Sequence, residues 1–445
     1  MSFPQYPEYR DSGVEWLGEV PTHWEVTKLS YITNRIGSGK TPSGGATAYV
    51  SKGVPFIRSQ NVHDNGLWLD DIVYIDEETD REMAWSRVRP LDVLINITGA
   101  SIGRSCLVPA GFGRANVNQH VCVIRLDKAA EFSSWAAWSM KAPSTKEQVK
   151  VSQTGAAREG LNFEQIAGFY LCMPPLNEQK KISAFLDHET ARIDALVEEQ
   201  QRLIALLKEK RQAVISHAVT KGLDPDVPMK DSGVEWFGRI PHHWAITKIA
   251  RLFHIKAGGD LKAELFSVEK HGDFQFPIYT NATDSSYVYG YTSSPSFPAG
   301  SLTVTGRGDV GFAIFRDEEF EAIIRLLVLV PEKGVSSKYY TYLINSLLAF
   351  SEGKSAIAQL SADQMSPYQV VVPPFREQKD IADFCERESL KLDTLTDQAK
   401  NLIKLLQERR SALISAAVTG KIDVRGWTPP ADSAPADQEA RMEAV

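Results

Sequence analysis

The chain has 445 residues, a formal net charge of −7, 43% apolar and 24% charged residues. That length supports two or three ordinary globular domains with real cores, and the acidic balance argues against a nucleic-acid surface spread over the whole protein. No run of eighteen apolar residues occurs, and the N-terminal MSFPQYPEYRD lacks the basic and apolar regions of a secretory leader, so neither a membrane span nor export is expected.

Residues 11–28 read DSGVEWLGEVPTHWEVTK and return at 231–248 as DSGVEWFGRIPHHWAITK, with twelve of eighteen positions in agreement at an offset of 220. An internal repeat decides the architecture before any local pattern does. Trp16, Trp24, Trp236 and Trp244 of this motif are expected to be packing anchors. Next comes GSGKTPSGG at 37–45, which ends as a nucleotide-binding P-loop ends. A P-loop needs a glycine five residues before its Gly-Lys pair and a helix directly after it, whose amides hold the phosphates. Here Asn34 takes the glycine position, and Pro42-Ser43-Gly44-Gly45 start no helix. The repeat supplies Ala257-Gly258-Gly259-Asp260-Leu261 at the same offset, with an aspartate where phosphate charge would be met. The expected shared feature is a flexible glycine turn of the kind that offers backbone and small polar groups to a ligand.

Residues 64–80 carry seven acids and no Lys or Arg, whereas 81–125 carry six arginines against Glu82 and Asp92. Local charge therefore leaves room for a basic face inside an acidic chain. From 90 to 126 short apolar runs alternate with glycine-rich turns, as in a meander of short strands, and 297–331 has the same texture. Each holds a glycine-punctuated turn after an apolar strand, Thr98-Gly99-Ala100-Ser101-Ile102-Gly103-Arg104 and Thr305-Gly306-Arg307-Gly308-Asp309-Val310-Gly311. Ala322–Val330, interrupted by Arg325, reads as a strand. More helical stretches follow at 131–150 and 336–351.

PPLNEQKKI at 174–182 matches PPFREQKDI at 373–381 at an offset of 199, so the second variable middle is 21 residues shorter than the first. Each double proline opens a long helix with an acid in its first turn, Glu178 or Glu377, which suits the helix dipole. Lys221-Gly222 and Gly420-Lys421 end them. Apolar residues step by four and three along each helix. The first seam is Ile182, Leu186, Ile193, Leu196, Leu203, Leu207 and Val214, with polar breaks at Glu189, Gln200 and Lys210. The second is Ile381, Cys385, Leu392, Leu395, Leu402, Leu406 and Leu413, with breaks at Glu388 and Arg409. Such helices are rods of roughly 65 Å at about 1.5 Å per residue, and two in one chain should pack together as a coiled coil. Phe185, Val197, Ile204, Leu206 and Ile215 widen the apolar face of the first, and Phe384, Ile403, Leu405 and Ile414 that of the second. Extra width needs cover from the attached globular parts or from a partner.

Little points to chemistry in the chain itself. Cys106, Cys122, Cys172 and Cys385 are scattered, as free buried thiols of a cytoplasmic protein would be, and the nine histidines never fall at metal-ligand spacing. No Asn/Asp-Pro-Pro-Tyr/Phe tetrapeptide of an amino-methyltransferase occurs, since Pro174-Pro175 follows Met173 and Pro373-Pro374 follows Val372. Glu178-Gln179-Lys180 and Glu377-Gln378-Lys379 end as nuclease motifs do, but they sit at helix starts without the upstream Pro-Asp, and capping explains them better. No catalytic residue and no metal site is expected.

The duplicated order resembles the DNA-specificity subunit of type I restriction–modification enzymes. The resemblance spans roughly residues 6–425 and rests on YPEYRDSGVEWLGEVPTHW with its copy, PPLNEQKKIS with PPFREQKDIADF, the helix ends AVTKG and AVTGK, and the stretches LDVLINITGASIGR and SLTVTGRGDVGF. It implies an α+β chain with two globular target-recognition domains of mixed strands and short helices, joined by two long antiparallel coiled-coil helices in a pseudo-two-fold repeat. The expected divisions are 1–173, first target-recognition domain; 174–222, first spacer helix; 223–372, second target-recognition domain; 373–423, second spacer helix; and 424–445, a disordered tail. In that family each target-recognition domain reads one half of a split site in double-stranded DNA. The helices act as spacer and bind two modification (methyltransferase) subunits, which hold S-adenosylmethionine and methylate adenine, and restriction subunits add ATP- and magnesium-dependent translocation and cleavage. No cofactor is then expected on this chain. Half-sites would lie about one helical turn apart, roughly 34 Å, and because the two middles differ the target would be asymmetric.

Base edges are best read by Arg, Lys, Asn and Gln, and phosphates by Lys, Arg, Ser and backbone amides. On that ground the candidate DNA contacts are Lys40, Thr41, Ser43, Arg58, Gln60, Asn61, Arg104, Arg114 and Asn118 in the first reader, and Lys256, Lys262, Asn281, Arg307 and Arg316 in the second. Two alternatives stay open on the residues alone: a coiled-coil scaffold that reads no DNA, and a stand-alone NTPase or nuclease with an unrecognised site.

Overall fold

The computed structural model describes residues 3–153, 160–347 and 359–429. It divides into two compact units, residues 1–199 with 402–445, and residues 200–401. Both units share the two long helices, Leu176–Lys221 and Phe375–Val418. Each unit therefore holds the first part of one helix and the last part of the other.

In the first unit, the DSGVEW segment forms a hairpin of Tyr9–Asp11 and Glu19–Pro21. The Asp11 carboxylate accepts from the Gly13 amide at 2.9 Å, which fixes the turn. Behind it lies an antiparallel sheet in the order Ser105–Leu107, Val93–Asn96, Val121–Leu126, Thr33–Ser38. A second sheet runs Val73–Ile75, Val54–Ile57, Ala115–Val117, Arg87–Val88, with its central pair parallel. Val93, Ile95, Cys122 and Ile124 face helix Ala129–Lys141, while Leu94, Val121 and Val123 face Ile57, Val88 and Val117 of the second sheet. Alternation along the strands thus buries both faces, which is why they read as nearly continuous apolar runs.

The second unit repeats this plan. Its hairpin is Met229–Asp231 with Arg239–Pro241, and its first sheet runs Ala313–Phe315, Leu302–Val304, Leu327–Pro331, Phe253–Ala257. Its second sheet differs in its members: Phe266–Ser267, Gly290–Thr292, Phe276–Tyr279, Glu321–Ala322, the last pair parallel. The apolar run 322–330, read above as one strand, is two. Ile324 and Arg325 take positive φ (57° and 58°), and this kink carries the chain from one sheet to the other. The helical stretches appear as Ala129–Lys141 with Pro143–Gln153 and as Ser337–Leu347; residues 348–351 lie outside the described part.

The helices pair antiparallel within each unit. In the first, Asp194 meets Arg410 at 2.9 Å and the Lys181 ammonium donates to the Arg425 carbonyl at 2.5 Å. In the second, Arg211 meets Asp393 at 3.0 Å, while Val219 and Gln378 both bond the 336–339 segment. Most of the expected seam holds: Ile182, Leu186, Ile193, Leu207, Ile381, Cys385, Leu392 and Leu406 are buried, and Val214 and Leu413 are half-buried. The middle of each helix slips by one residue. Leu196, Leu203, Leu395 and Leu402 are 40–45% exposed, and the inward positions are Thr190, Val197, Ile204, Ser389, Thr396 and Ile403. Thr190 and Thr396 fit inside because their hydroxyls donate to the carbonyls of Leu186 and Leu392, four residues back, at 2.6 and 2.8 Å. A threonine satisfied by its own helix does not mark the solvent side.

The ordered body also runs past 424. Val424 is buried, and Trp427 packs edge-on against Phe185 at 5.5 Å between ring centroids. Only 430–445 of the expected tail lies outside the described residues.

Candidate nucleic-acid interface

In the first unit, four strands point their C-terminal ends at one rim. Gly39, after Thr33–Ser38, donates to the Asn118 carbonyl at 3.1 Å; Asn118, after Ala115–Val117, donates to the Ile57 carbonyl at 3.0 Å. Asn96, at the end of Val93–Asn96, donates from its side chain to the Ser59 carbonyl at 2.8 Å and to Ser101 Oγ at 3.1 Å. Lys40, Thr41, Ser43, Arg58, Gln60, Arg104 and Asn118 are thus brought onto connected loops. The glycines have backbone reasons. A Cβ on Gly39 would stand 1.7 Å from the Val117 carbonyl oxygen, and Gly99 and Gly103 have φ of 73° and 80°. The GSGKT glycine therefore serves a close strand crossing. The segment after it forms only a 3₁₀ turn, Gly45–Ala48, with no helix N-terminus for a phosphate.

The second unit builds the same rim with other side chains. Asn281 Oδ1 accepts from the Gly306 amide at 2.7 Å, while its Nδ2 donates to the Ile324 carbonyl at 2.7 Å, so this residue pins the glycine turn. A Cβ on Gly258 would lie 2.5 Å from the Ala322 carbonyl oxygen, matching Gly39 with a one-residue slip from the sequence offset. Lys256, Lys262 and Arg307 are exposed around it.

Several candidates sit otherwise. Asn61 is fully buried: its oxygen accepts from the Arg58 amide, and its nitrogen donates to the Trp68 carbonyl and to Asp71, leaving no atom for a base. Arg58 and Gln60 are held by the same Asp71, Arg58 through its carbonyl at 2.7 Å. Arg114 lies at the start of its strand, away from the rim, and pairs with Glu77. Arg316 is 4% exposed, stacked 3.5 Å over the Tyr279 ring and bonded to Thr303 and Ser285. The contrast between acidic 64–80 and arginine-rich 81–125 largely cancels inside the fold. Asp80, with no exposed surface, accepts from Arg87 and Asn116. Burial alone would raise its pKa, but those hydrogen bonds outweigh it and hold the carboxyl below its ordinary range. Arg125 pairs with buried Asp92 at 2.7 Å.

Sequence reasoning missed the groove beside the first rim. His63 and Trp68 stack at 3.9 Å, and Arg104, Lys141 and Lys146 line the same groove together with Asp64, Glu147 and Asp194. The Lys146 ammonium donates to the Gly103 carbonyl at 2.5 Å and so backs the glycine turn, with Asp64 at 3.2 Å. Burial pulls the Lys141 ammonium below its usual pKa. Only the Asn65-Gly66 turn signal hinted that this loop folds back.

The tryptophans of the DSGVEW motif divide. Trp24 and Trp244 are fully buried and donate to Glu178 and Glu377 at 3.0 and 2.8 Å; His23 and His243 bond the other oxygen of the same carboxylates at 2.9 and 2.8 Å. Gln179 and Gln378 donate to the carbonyls of Pro174 and Pro373. The glutamates thus tie each DSGVEW segment to its own helix, and the glutamines brace the turn into that helix. Trp16 is half-buried in the same cluster, but Trp236 is 48% exposed, with its ring tilted against that of Phe237 at 6.1 Å. Among the described residues no cluster of three or more His, Cys, Asp or Glu could hold a metal, and no helix is long and apolar enough to cross a membrane. The four cysteines are buried and unpaired, and burial pushes the Cys106, Cys122, Cys172 and Cys385 thiols up to about 12.

Comparison with known proteins agrees on one family. The type I restriction modification DNA specificity domain matches residues 21–205 and again 241–405. The type I restriction enzyme StySPI specificity subunit of Salmonella potsdam is 21% identical over 91% of this chain and 90% of its own. The EcoKI specificity subunit of Escherichia coli is 24% identical over 45% of this chain and 44% of its own. A solved chain from work on complex assembly and conformational transition of the type I R-M system superposes with a TM-score of 0.70 at 16% identity, covering 90% of this chain and 98% of that one. The HsdS subunit from Thermoanaerobacter tengcongensis does so at 0.54 and 14%, with 90% and 98% covered. With two copies of the family's domain, a helix pair shared by both units and one strand plan used twice, the chain belongs to the type I restriction–modification DNA-specificity subunits.

Proposed function

We propose that each unit reads one half of a bipartite, asymmetric sequence in double-stranded DNA. The chain itself catalyses nothing in this reading. The observation that carries it is the doubled rim: the same strand order brings loops together twice, with different side chains each time. Unlike rims read unlike half-sites. Arg104 and Arg307 follow the two glycine turns, and exposed Lys40 and Lys262 can meet phosphates.

The long helices then serve as spacer and scaffold. Each unit leaves leucines in solvent on them: Leu196, Leu402 and Leu405 in the first, Leu203, Leu206, Leu390 and Leu395 in the second. Repeated exposed leucines are what two copies of one partner would cover. In this reading the partners are two adenine-methylating modification subunits, which hold S-adenosylmethionine, and restriction subunits that use ATP and magnesium. Methylated adenines mapped in cells that express this chain with its modification subunits test the reading. The expected result is a split motif with unlike halves. A continuous motif would overturn it.

A further inference from the structure

The first unit has a second concave feature, away from the glycine turn. Arg35, Arg87, Arg89, Arg114 and Arg125 line a cavity of about 430 Å³, with the exposed indole of Trp85 as one wall. Strand direction places it. Arg35 stands near the start of Thr33–Ser38 and Arg125 near the end of Val121–Leu126; Arg114 precedes Ala115–Val117, and Arg87 and Arg89 lie in and just after Arg87–Val88, which runs antiparallel beside it, away from the rim. The cavity therefore lies at the opposite strand ends from the proposed reading loops.

Its charge is not balanced. Arg87 bonds Asp80, Arg114 bonds Glu77 and Arg125 bonds Asp92, so three of the five guanidiniums have a carboxylate. Among the described residues no carboxylate forms an ion pair with the Arg35 or Arg89 guanidinium, and Asp92, already bonded to Arg125, accepts only from the Arg89 backbone amide at 2.7 Å. Arg35 is half-buried and paired in register with Arg125 across the sheet; burial and that neighbour together lower its pKa, yet a guanidinium keeps its proton. Like charges directly opposite on neighbouring strands destabilise a sheet, so the pair costs stability in the empty protein. The second unit does without this arrangement: the matching strand positions there are His254 opposite Val330. The cluster is thus no requirement of the shared fold.

We propose that this cavity binds a phosphate group, carried either by a free nucleotide or by a DNA backbone. Planar guanidiniums take phosphate oxygens in paired hydrogen bonds, five arginines against the three carboxylates of Asp80, Glu77 and Asp92 leave an excess of positive charge to meet a phosphate dianion, and the indole offers a face to an attached base. The site goes beyond half-site reading and stands or falls apart from it, because the variant below leaves the rim loops untouched.

The test is the double variant Arg35→Gln/Arg89→Gln, which keeps the three ion-paired arginines. Its melting temperature should equal or exceed that of the parent, showing that the fold survives. One arm titrates the full chain with adenosine 5′-monophosphate and with inorganic phosphate, followed by calorimetry and by quenching of Trp85 against a Trp85→Phe control. The other arm measures cognate DNA affinity of the complex with modification subunits across a salt series. A loss of tenfold or more for the nucleotide supports a free-nucleotide site. A tenfold loss for DNA, with a shallower salt dependence and an unchanged methylated motif, supports a backbone contact. Parent and variant that behave alike in both arms overturn the proposal.

Discussion

The two units share one frame and fill it differently. Both have the four-stranded sheet, the Trp–Glu anchor at the helix start and a glycine where two strands cross. Their second sheets have different members, and different chemistry holds them. The first relies on acids from 64–80: Asp80 on Arg87 and Asn116, Asp71 on Asn61, Gln60 and Arg58, Asp64 on Lys146. The second relies on one buried arginine, Arg316, laid on Tyr279. The lesson is that the repeated residues fix the scaffold, while the charged residues that differ between copies are spent largely on holding the variable loops.

That contrast can be broken most severely at Asp80. Asp80→Ala should cost about 3 kcal/mol, at the low end for a buried pair because Arg87 reaches solvent. Hydrogen exchange should show protection lost in residues 54–126 and kept in 253–331. The same difference should appear with acid. The Asp80 carboxyl is held below its unfolded pKa, so its contribution is present above the ordinary carboxylate range and disappears as pH falls through the lowered folded value. The first unit should therefore open before the second as pH drops below about 4.

The helices offer the next test. Ile193→Asp puts a charge at a 4%-exposed position and should cost about 3 kcal/mol or force local opening. Leu196→Asp, at 45% exposure, should leave melting within about 0.5 kcal/mol of the parent while weakening capture of modification subunits. Equal destabilisation by both would restore the unslipped seam. Gly39→Ala should cost about 1–3 kcal/mol through overpacking against Val117 and blur one half of the recognised sequence. Smallest are Arg104→Ala and Arg307→Ala, each expected to slow cognate methylation about tenfold without changing melting. Normal methylation by both would remove the glycine turns from the interface.

Much of the frame was legible because it is written twice. The DSGVEW repeat, the double-proline helix starts and the glycine turns at 98–104 and 305–311 all fall where the pattern put them. Glu178 and Glu377 were read as first-turn acids; their bonds to Trp24 and Trp244 needed the fold, because the partners lie more than 130 residues away. The seam misled at Leu196, Leu203, Leu395 and Leu402, where leucine was taken as inward. For the arginines of 81–125, charge along the chain does not reveal that Asp80, Glu77 and Asp92 fold onto Arg87, Arg114 and Arg125. Gly39 was read as a flexible turn, yet its reason is the carbonyl of Val117, brought beside it only by the second sheet.

The most direct measurement replaces residues 1–173 with the corresponding reader of a relative and maps the methylated sequence of the resulting complex. Independent readers on a common spacer predict that one half of the motif changes while the other half and the gap between them stay the same. A change in both halves, or in the gap, would contradict the account.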